Sequence, residues 1–206
     1  KASWKTKEKQ FLTQADLDTL QNKKSCLPRL DLVRDIFVFC CYTGLAYADV
    51  KQLQQEDIII GVDDYRWIKM ARKKTKAISS IPLLPPAEAI IEKYSEHPYV
   101  LDGKGLLPVL TNQKSNAYLK EIADVCGINK NLTTHLARHT FATTVTLSKG
   151  VSISTVSKML GHRSLKTTQI YAKVLDSKIA EEMSVLKAQL EQEEAQKGKE
   201  EVPIQD

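Results

Sequence analysis

The sequence predicts a mainly α-helical fold with one small three-stranded antiparallel sheet, in the α+β class. Apolar residues recur at helical spacing along most of the chain, and only residues 57–81 form short runs bounded by turn residues. With 206 residues, 42% of them hydrophobic and 27% charged, the chain can bury a full core. No apolar stretch approaches the roughly 20 residues that a membrane span needs, and no signal peptide is recognisable. We therefore expect neither a membrane-embedded nor a secreted protein.

The first part of the chain predicts three helices around an apolar centre. Thr13 suits the N-cap of a first helix over Gln14–Leu20. The second helix, Asp31–Tyr42, is apolar almost all round and is therefore expected in the middle of the core. Gly44 ends it, because glycine readily adopts the left-handed conformation of a helix C-terminus. A third helix is predicted over Tyr47–Leu53.

The period then changes to that of a sheet. Three short strands are predicted over Asp57–Ile60, Tyr65–Ala71 and Ile78–Ile81. The second turn, Arg72–Lys76, carries a concentration of positive charge.

The remaining chain predicts helices only. They are expected over Ala87–Ser95, Lys114–Cys126, His135–Ser148, Ile153–Leu160, Leu165–Tyr171 and Lys178–Glu194. The last of them carries a narrow apolar stripe on an otherwise polar rod, formed by Ile179, Met183, Leu186 and Leu190.

Charge and cysteine content indicate the kind of partner and the cellular compartment. The net charge is +5, but residues 176–206 hold nine acidic and four basic residues, so residues 1–175 carry +10. A basic body favours a polyanionic partner, although a solvated charged surface explains it equally well. Cys40 and Cys41 are adjacent in an apolar run and no C-x-x-C pair is present, which is typical of a reducing, cytoplasmic compartment.

One predicted helix carries a pair of chemically useful side chains. His135 and Arg138 are three residues apart and therefore share a helical face. His135 and His139 have the spacing of a zinc-binding helix, but Leu136 stands where that motif needs a glutamate, and the cationic Arg138 opposes a metal ion. No metal site is expected. An arginine beside a histidine suits an anionic oxygen such as that of phosphate, or forms an ordinary surface pair.

Five elements, in order, resemble the tyrosine recombinase (phage integrase) family. The resemblance covers the chain from Phe11 to Val174. Its elements are Thr43-Gly44-Leu45, the basic turn with Lys74-Thr75, His135-x-x-Arg138, Leu160-Gly161-His162, and Tyr171 nine residues after His162.

The resemblance implies a role for each matching residue. Tyr171 is the expected nucleophile, which attacks a scissile DNA phosphate and leaves a 3′-phosphotyrosine. Arg138 and His162 are expected to hold the phosphate oxygens, and His135 to assist the tyrosine or the phosphate. Lys74 is expected to protonate the leaving 5′-oxygen.

Asp49 matches the acidic residue that supports the family's site from behind. No metal or other cofactor is expected, and no ATP is needed because the covalent intermediate conserves the energy of the phosphodiester bond. The chain also has no G-x-x-x-x-G-K-[ST] nucleotide loop. Residues flanking Lys74 and preceding Tyr171 are expected either to contact DNA or to be solvated surface, namely Arg72, Lys73, Lys76, Arg163, Ser164 and Lys166.

Ala46 departs from the family pattern. Recombinases usually carry an arginine directly after Thr-Gly-Leu, and integrases of conjugative transposons resemble this chain in lacking it. Arg34 is the predicted substitute, because it is one of two charges at the middle of an otherwise apolar helix. The alternative for Arg34 is an i, i+3 ion pair with Asp31.

The resemblance also implies an organisation and partners. Residues 1–175 form the expected catalytic domain, with 1–12 as a linker from a missing N-terminal DNA-binding domain. Residues 176–206 form a helix and acidic tail that subunits exchange. The expected partner is double-stranded DNA at recombination sites, bound by a homotetramer that is monomeric when free and associated with the bacterial nucleoid.

Two other functions fit part of the sequence. Ile153–Leu160 and Leu165–Tyr171 have the layout of a helix-turn-helix, which would make the chain a DNA-binding regulator. A type IB topoisomerase shares the tyrosine chemistry of the recombinases.

Overall fold

The computed structural model describes residues 10–23, 27–171, 179–180 and 183–191, and confirms a mainly helical fold with one three-stranded sheet. These residues fall into two compact units, one on each side of the bond between Ile170 and Tyr171. The α-helices of the first unit are α1 (Gln14–Asn22), α2 (Pro28–Thr43), α3 (Tyr47–Gln52), α4 (Pro85–Lys93), α5 (Pro98–Leu101), α6 (Asn112–Cys126), α7 (Thr134–Thr140) and α8 (Ile153–Met159).

Helix α2 is the centre of the core, as predicted. Twelve of its sixteen residues are buried, including Cys40 and Cys41, and it packs against α1, α4, α6 and α7. It begins at Pro28, about one turn earlier than predicted, because proline is well suited to the first turn of a helix. It ends at Gly44, whose φ of 68° lies in the left-handed region.

The sheet is antiparallel, with strand order β1 (Ile58–Ile60), β2 (Arg66–Ala71) and β3 (Ile78–Pro82). Ile68 of β2 faces Ile58 of β1 on one side and Ile81 of β3 on the other. Ile68 and Ile81 are buried and mark the inner face of the sheet, and α8 packs against β3. The strand predictions are confirmed to within one residue at every end.

The predicted helix His135–Ser148 is only partly α-helical. After α7 the chain continues as a π-helix, Phe141–Thr146, and a 3-10 turn, Leu147–Lys149. Threonine hydroxyls in this segment donate back to main-chain carbonyls, for example from Thr143 to His139 and from Thr146 to Phe141. Such bonds compete with the regular helical ladder, which explains the change of helix type.

The predicted helix Leu165–Tyr171 is wrong. The chain instead forms two separate 3-10 turns, Leu165–Thr167 and Gln169–Tyr171. Ser164 caps the first turn, and Thr168 ends it with its hydroxyl turned to the ring of His162.

Several terminal predictions lie outside the described residues: residues 1–9 of the expected linker, residues 178, 181–182 and 192–194 of the last helix, and the rest of the acidic tail. Leu12, at the end of the expected linker, is fully buried, and its main chain bonds to Thr140 and Thr144. Residues 179–180 and 183–191 are helical, and all four residues of the apolar stripe are exposed. No helix in the described ranges is long and apolar enough to cross a bilayer.

Candidate active site

Arg138 is held by the two loops that carry the glycine motifs. It lies on α7, which Thr133 caps by accepting a hydrogen bond from Leu136. Its side chain is only 7% exposed. Nη1 donates to the carbonyl of Gly44 at 2.6 Å and Nη2 to the carbonyl of Leu160 at 2.5 Å.

Arg72 reaches the same place from the sheet. Residues alternate between the two faces of a strand, so Arg72 follows Ile68 and Met70 on the inner face and is 8% exposed. Its Nη1 donates to the carbonyl of Leu160 at 2.7 Å, and its Nε donates to Asp49 Oδ2 at 3.0 Å. Two guanidinium groups from different elements therefore meet at one carbonyl oxygen.

Asp49 holds both Arg72 and the turn that follows it. The carboxylate lies on α3 and is almost fully buried. While Oδ2 accepts from Arg72, Oδ1 accepts from the main-chain N–H of Lys73 at 2.9 Å. A buried carboxylate with these partners compensates one positive charge and fixes the direction of the guanidinium.

Gly161 allows the sheet and the Leu160 loop to approach each other. Its φ is 60°, in the left-handed region. A Cβ at this position would lie 2.7 Å from Arg72 Cδ and 2.7 Å from Ser79 Oγ. Only glycine leaves room for Arg72 to reach the carbonyl of Leu160.

His162 stands next to these arginines as a neutral imidazole. Burial, followed by the positive charges of Arg138 and Arg72, lowers the pKa of His162 from its usual 6.5 to about 4. Its Nδ1 lies 2.8 Å from Oγ1 of Thr168, whose side chain is completely buried. Two arginines and a neutral histidine on one side of a loop can bind an anionic oxygen by charge and by N–H donation.

His135 lies one turn before Arg138 on α7 and is exposed. Its ring contacts that of His139 edge-on, with ring centroids 4.3 Å apart. Among the described residues, no group of three or more histidine, cysteine or acidic side chains is arranged to hold a metal ion.

Lys74 is exposed in the turn between β2 and β3, and Lys73 and Lys76 beside it are exposed as well. The turn is closed by a hydrogen bond from the N–H of Lys76 to the carbonyl of Arg72. Of the other expected DNA contacts, Ser164 and Lys166 are exposed, and Arg163 donates through Nη2 to the carbonyl of Thr75 at 2.6 Å.

The structure gives Arg34 the ion pair with Asp31, which is the alternative to Arg34 replacing the arginine missing at Ala46. Arg34 Nη1 pairs with Asp31 at 2.7 Å, and Nε and Nη2 donate to Asp35 at 3.0 and 2.7 Å. Nη1 also donates to the carbonyl of Lys23. The guanidinium is thus held by carboxylates of its own helix rather than by the loops that hold Arg138.

Arg72 is the buried arginine that sequence reasoning misplaced. Because it flanks Lys74, it is predicted from the sequence to lie at the surface, either as a DNA contact or as a solvated residue. The strand period gave the contrary signal, since Ile68, Met70 and Arg72 are two residues apart and share the inner face. No comparable pattern pointed to Thr168 as the partner of His162.

Tyr171 is the last residue of the turn Gln169–Tyr171 and belongs to the second unit. Its side chain is 4% exposed.

Comparisons with known proteins agree with this fold. Residues 10–178 match the phage integrase family. A tyrosine recombinase of Pseudothermotoga lettingae is 28% identical over 172 residues, which cover 81% of this chain and 57% of that protein.

Two solved structures resemble the fold at low sequence identity. The crystal structure of XerA recombinase matches with a TM-score of 0.66 and 23% identity, over 84% of this chain and 64% of that one. The Tn1549 transposon integrase in complex with a circular intermediate DNA matches with a TM-score of 0.62 and 19% identity, over 82% of this chain and 63% of that one. The chain spans less than two thirds of the length of each of these three relatives.

Proposed function

Because this chain belongs to the phage integrase family as a tyrosine recombinase catalytic domain, we propose that it cleaves and rejoins DNA at specific sites through a 3′-phosphotyrosine. The observation that carries the proposal is the meeting of Arg72 and Arg138 at the carbonyl of Leu160. Two fixed guanidinium groups beside His162 suit the non-bridging oxygens of one phosphodiester.

In this proposal Arg138 and Arg72 hold the phosphate, and Arg72 supplies the second cation that Ala46 does not. His162, neutral at pH 7, donates an N–H to a phosphate oxygen. These hydrogen-bond donors are fixed before the reaction, so they stabilise the negative charge that develops on the phosphate in the transition state.

The covalent step exchanges one phosphate ester for another. The phenol oxygen of Tyr171 attacks phosphorus, and the bond from phosphorus to the 5′-oxygen breaks. Lys74 gives a proton to the leaving 5′-oxygen, and His135 assists removal of the phenol proton, since a phenol with a pKa near 10 is a poor nucleophile at neutral pH. Attack by a second 5′-hydroxyl reverses the step and joins a new strand without metal or ATP.

The proposed substrate is double-stranded DNA at recombination sites. The chain is proposed to be a monomer when free and to form a homotetramer on DNA. The proposed location is the bacterial cytoplasm. The basic residues Lys73, Lys76 and Lys166 are exposed and supply phosphate contacts. The proposed contact between neighbouring subunits is the exposed apolar stripe of the last helix, formed by Ile179, Met183, Leu186 and Leu190.

Covalent trapping on suicide DNA tests the reaction. The substrate carries a nick close to the scissile phosphate, so that the cleaved fragment diffuses away and the adduct accumulates. Wild-type protein is expected to form an adduct that maps by peptide mass to Tyr171, while Tyr171→Phe forms none and binds DNA with unchanged affinity. An adduct on another residue, such as Tyr118, contradicts the proposal.

A type IB topoisomerase would form the same adduct, so a second assay separates the two enzymes. A recombinase exchanges strands between two paired sites, whereas a topoisomerase relaxes supercoiled DNA as a monomer. The helix-turn-helix alternative lacks its second helix, because residues 165–171 form two 3-10 turns.

A further inference from the structure

The turn that carries Lys74 is held at the residue before it and at the residue after it. The N–H of Lys73 donates to Asp49 Oδ1 at 2.9 Å. The carbonyl of Thr75 accepts from Arg163 Nη2 at 2.6 Å. Lys74 itself is exposed. The hydrogen bond from Lys76 to the carbonyl of Arg72 closes the turn, and the bonds with Asp49 and Arg163 attach the turn to the rest of the fold.

The two bonds tie the turn to two different parts of the site. Asp49 belongs to α3 and also holds the guanidinium of Arg72. Arg163 directly follows His162, in the loop whose Leu160 carbonyl receives both arginines. These two bonds therefore fix the position of the turn relative to the arginine pair and to His162.

We propose that Arg163 is a positioning residue that places Lys74 for proton transfer to the leaving 5′-oxygen. This inference rests on the proposed function, in which Lys74 is the proton donor. A lysine side chain has four rotatable bonds, so a proton transfer at one defined oxygen depends on where the main chain beneath it is fixed. The bond from the Arg163 guanidinium to the carbonyl of Thr75 fixes the main chain after Lys74, whereas Asp49 fixes it before Lys74.

In this role Arg163 acts through the bond of its Nη2 to the carbonyl of Thr75, and not through a phosphate of the DNA. The distinction has a measurable consequence. A phosphate contact contributes to DNA affinity and to its salt dependence, whereas a positioning residue contributes to the rate of the step in which the 5′-oxygen leaves.

The test compares single-turnover cleavage of two suicide substrates, one with the natural 5′-oxygen and one with a bridging 5′-sulfur. A thiol has a pKa of about 8.5, far below that of an alcohol, so a 5′-thiolate leaves without a proton. Arg163→Met is expected to slow cleavage of the oxygen substrate about tenfold, which corresponds to about 1.4 kcal/mol, and to leave the sulfur substrate within about twofold of wild type. Arg163→Lys, which retains a donor, is expected to restore most of the rate.

Two further variants make the result specific. Lys158→Met removes the same charge from an exposed position and is expected to cleave both substrates at the wild-type rate. Lys74→Met is expected to fail on the oxygen substrate and to recover on the sulfur substrate. DNA affinity, measured by fluorescence anisotropy, is expected to be equal for Arg163→Met and Lys158→Met.

Two results overturn the inference: Arg163→Met equally slow on both substrates, or as fast as wild type on the oxygen substrate. If Lys74→Met is not rescued by sulfur, the proton donor of the proposed function is wrong, and the inference is overturned with it. Absence of any wild-type adduct would instead contradict the proposed function as a whole.

Discussion

Arg72 and Arg138 donate to the same acceptor, the carbonyl oxygen of Leu160, at 2.7 and 2.5 Å. Leu160 is the C-cap of α8, where main-chain carbonyls lack helical partners and accept from side chains instead. The end of one helix thus brings together the arginine that follows β2 and an arginine from α7. This relationship explains how a chain with Ala46 in the usual arginine position still has two arginines in its candidate site.

Replacement of Arg34 is expected to affect stability and not cleavage. Arg34→Ala leaves the buried carboxylate of Asp35 with fewer donors, which costs about 3 kcal/mol in the free energy of unfolding. Thermal unfolding should show a midpoint lower by about 6–12 °C, and cleavage per folded molecule should stay within about threefold of wild type. Arg29→Ala, an exposed arginine on the same helix, serves as the control. A hundredfold loss of cleavage in folded Arg34→Ala would show that Arg34 acts in catalysis.

Gly161→Ala is expected to damage the site specifically. The new Cβ would collide with Arg72 Cδ and Ser79 Oγ and push the guanidinium away from Leu160. Gly127→Ala is the matched control, because Gly127 also has a positive φ but a Cβ there meets no atom within 4 Å. Both variants should lose about 1–2 kcal/mol of stability from backbone strain, measured by urea unfolding. Only Gly161→Ala should lose cleavage, and equal activity of the two variants would show that Arg72 needs no such space.

His162 is expected to stay neutral across the physiological range. Its folded pKa of about 4 lies below the unfolded value of about 6.5, so the unfolded chain binds more protons between these values and the folded state loses stability as pH falls through that window. NMR titration of the ring protons, assigned with His162→Asn, should show no protonation between pH 5.5 and 8. A midpoint between 6 and 7 would show that burial and the two arginines do not act on the ring as the structure indicates.

Thr168 is expected to set the orientation of His162. If its buried hydroxyl donates to Nδ1, the proton of the neutral ring resides on Nε2, the atom left to face a phosphate. Thr168→Val keeps the shape and removes the hydroxyl, so it should slow cleavage about tenfold at unchanged DNA affinity, whereas Thr168→Ser should stay near wild type. The ¹⁵N chemical shifts of His162 report the tautomer directly. Unchanged shifts and an unchanged rate in Thr168→Val would contradict this role.

Much of the fold could be predicted because its signals are local. The apolar surface of α2, the glycine that ends it and the basic turn between two strands each require only a few neighbouring residues. The segment after α7 could not be predicted in the same way, because the back-bonding of Thr143 and Thr146 alters a helix whose apolar pattern looks regular. The turns at 165–171 likewise depend on the contact of Thr168 with His162.

For the candidate site, the ordered motifs identified Arg138, His162 and Asp49, whose side chains the structure brings to the Arg72 cluster. The choice between Arg34 and Arg72 could not be made from the neighbouring residues, since Arg34 stands beside Asp35 in an apolar helix and Arg72 opens a run of basic residues. It depends on which carbonyls and carboxylates lie within reach after folding. Arg34 meets Asp31 and Asp35 within its own helix, whereas Arg72 meets a loop 88 residues later in the chain.

The central claim is that Arg72 and Arg138 together neutralise the scissile phosphate, and a methylphosphonate substrate tests it most directly. This substrate replaces one charged non-bridging oxygen by a methyl group, so an arginine that serves that charge becomes dispensable. On the natural phosphodiester, Arg72→Ala should form the covalent adduct 10²–10³ times more slowly than wild type, and on the methylphosphonate the difference should shrink to tenfold or less. An equal deficit on both substrates, or no deficit on the phosphodiester, would contradict the account.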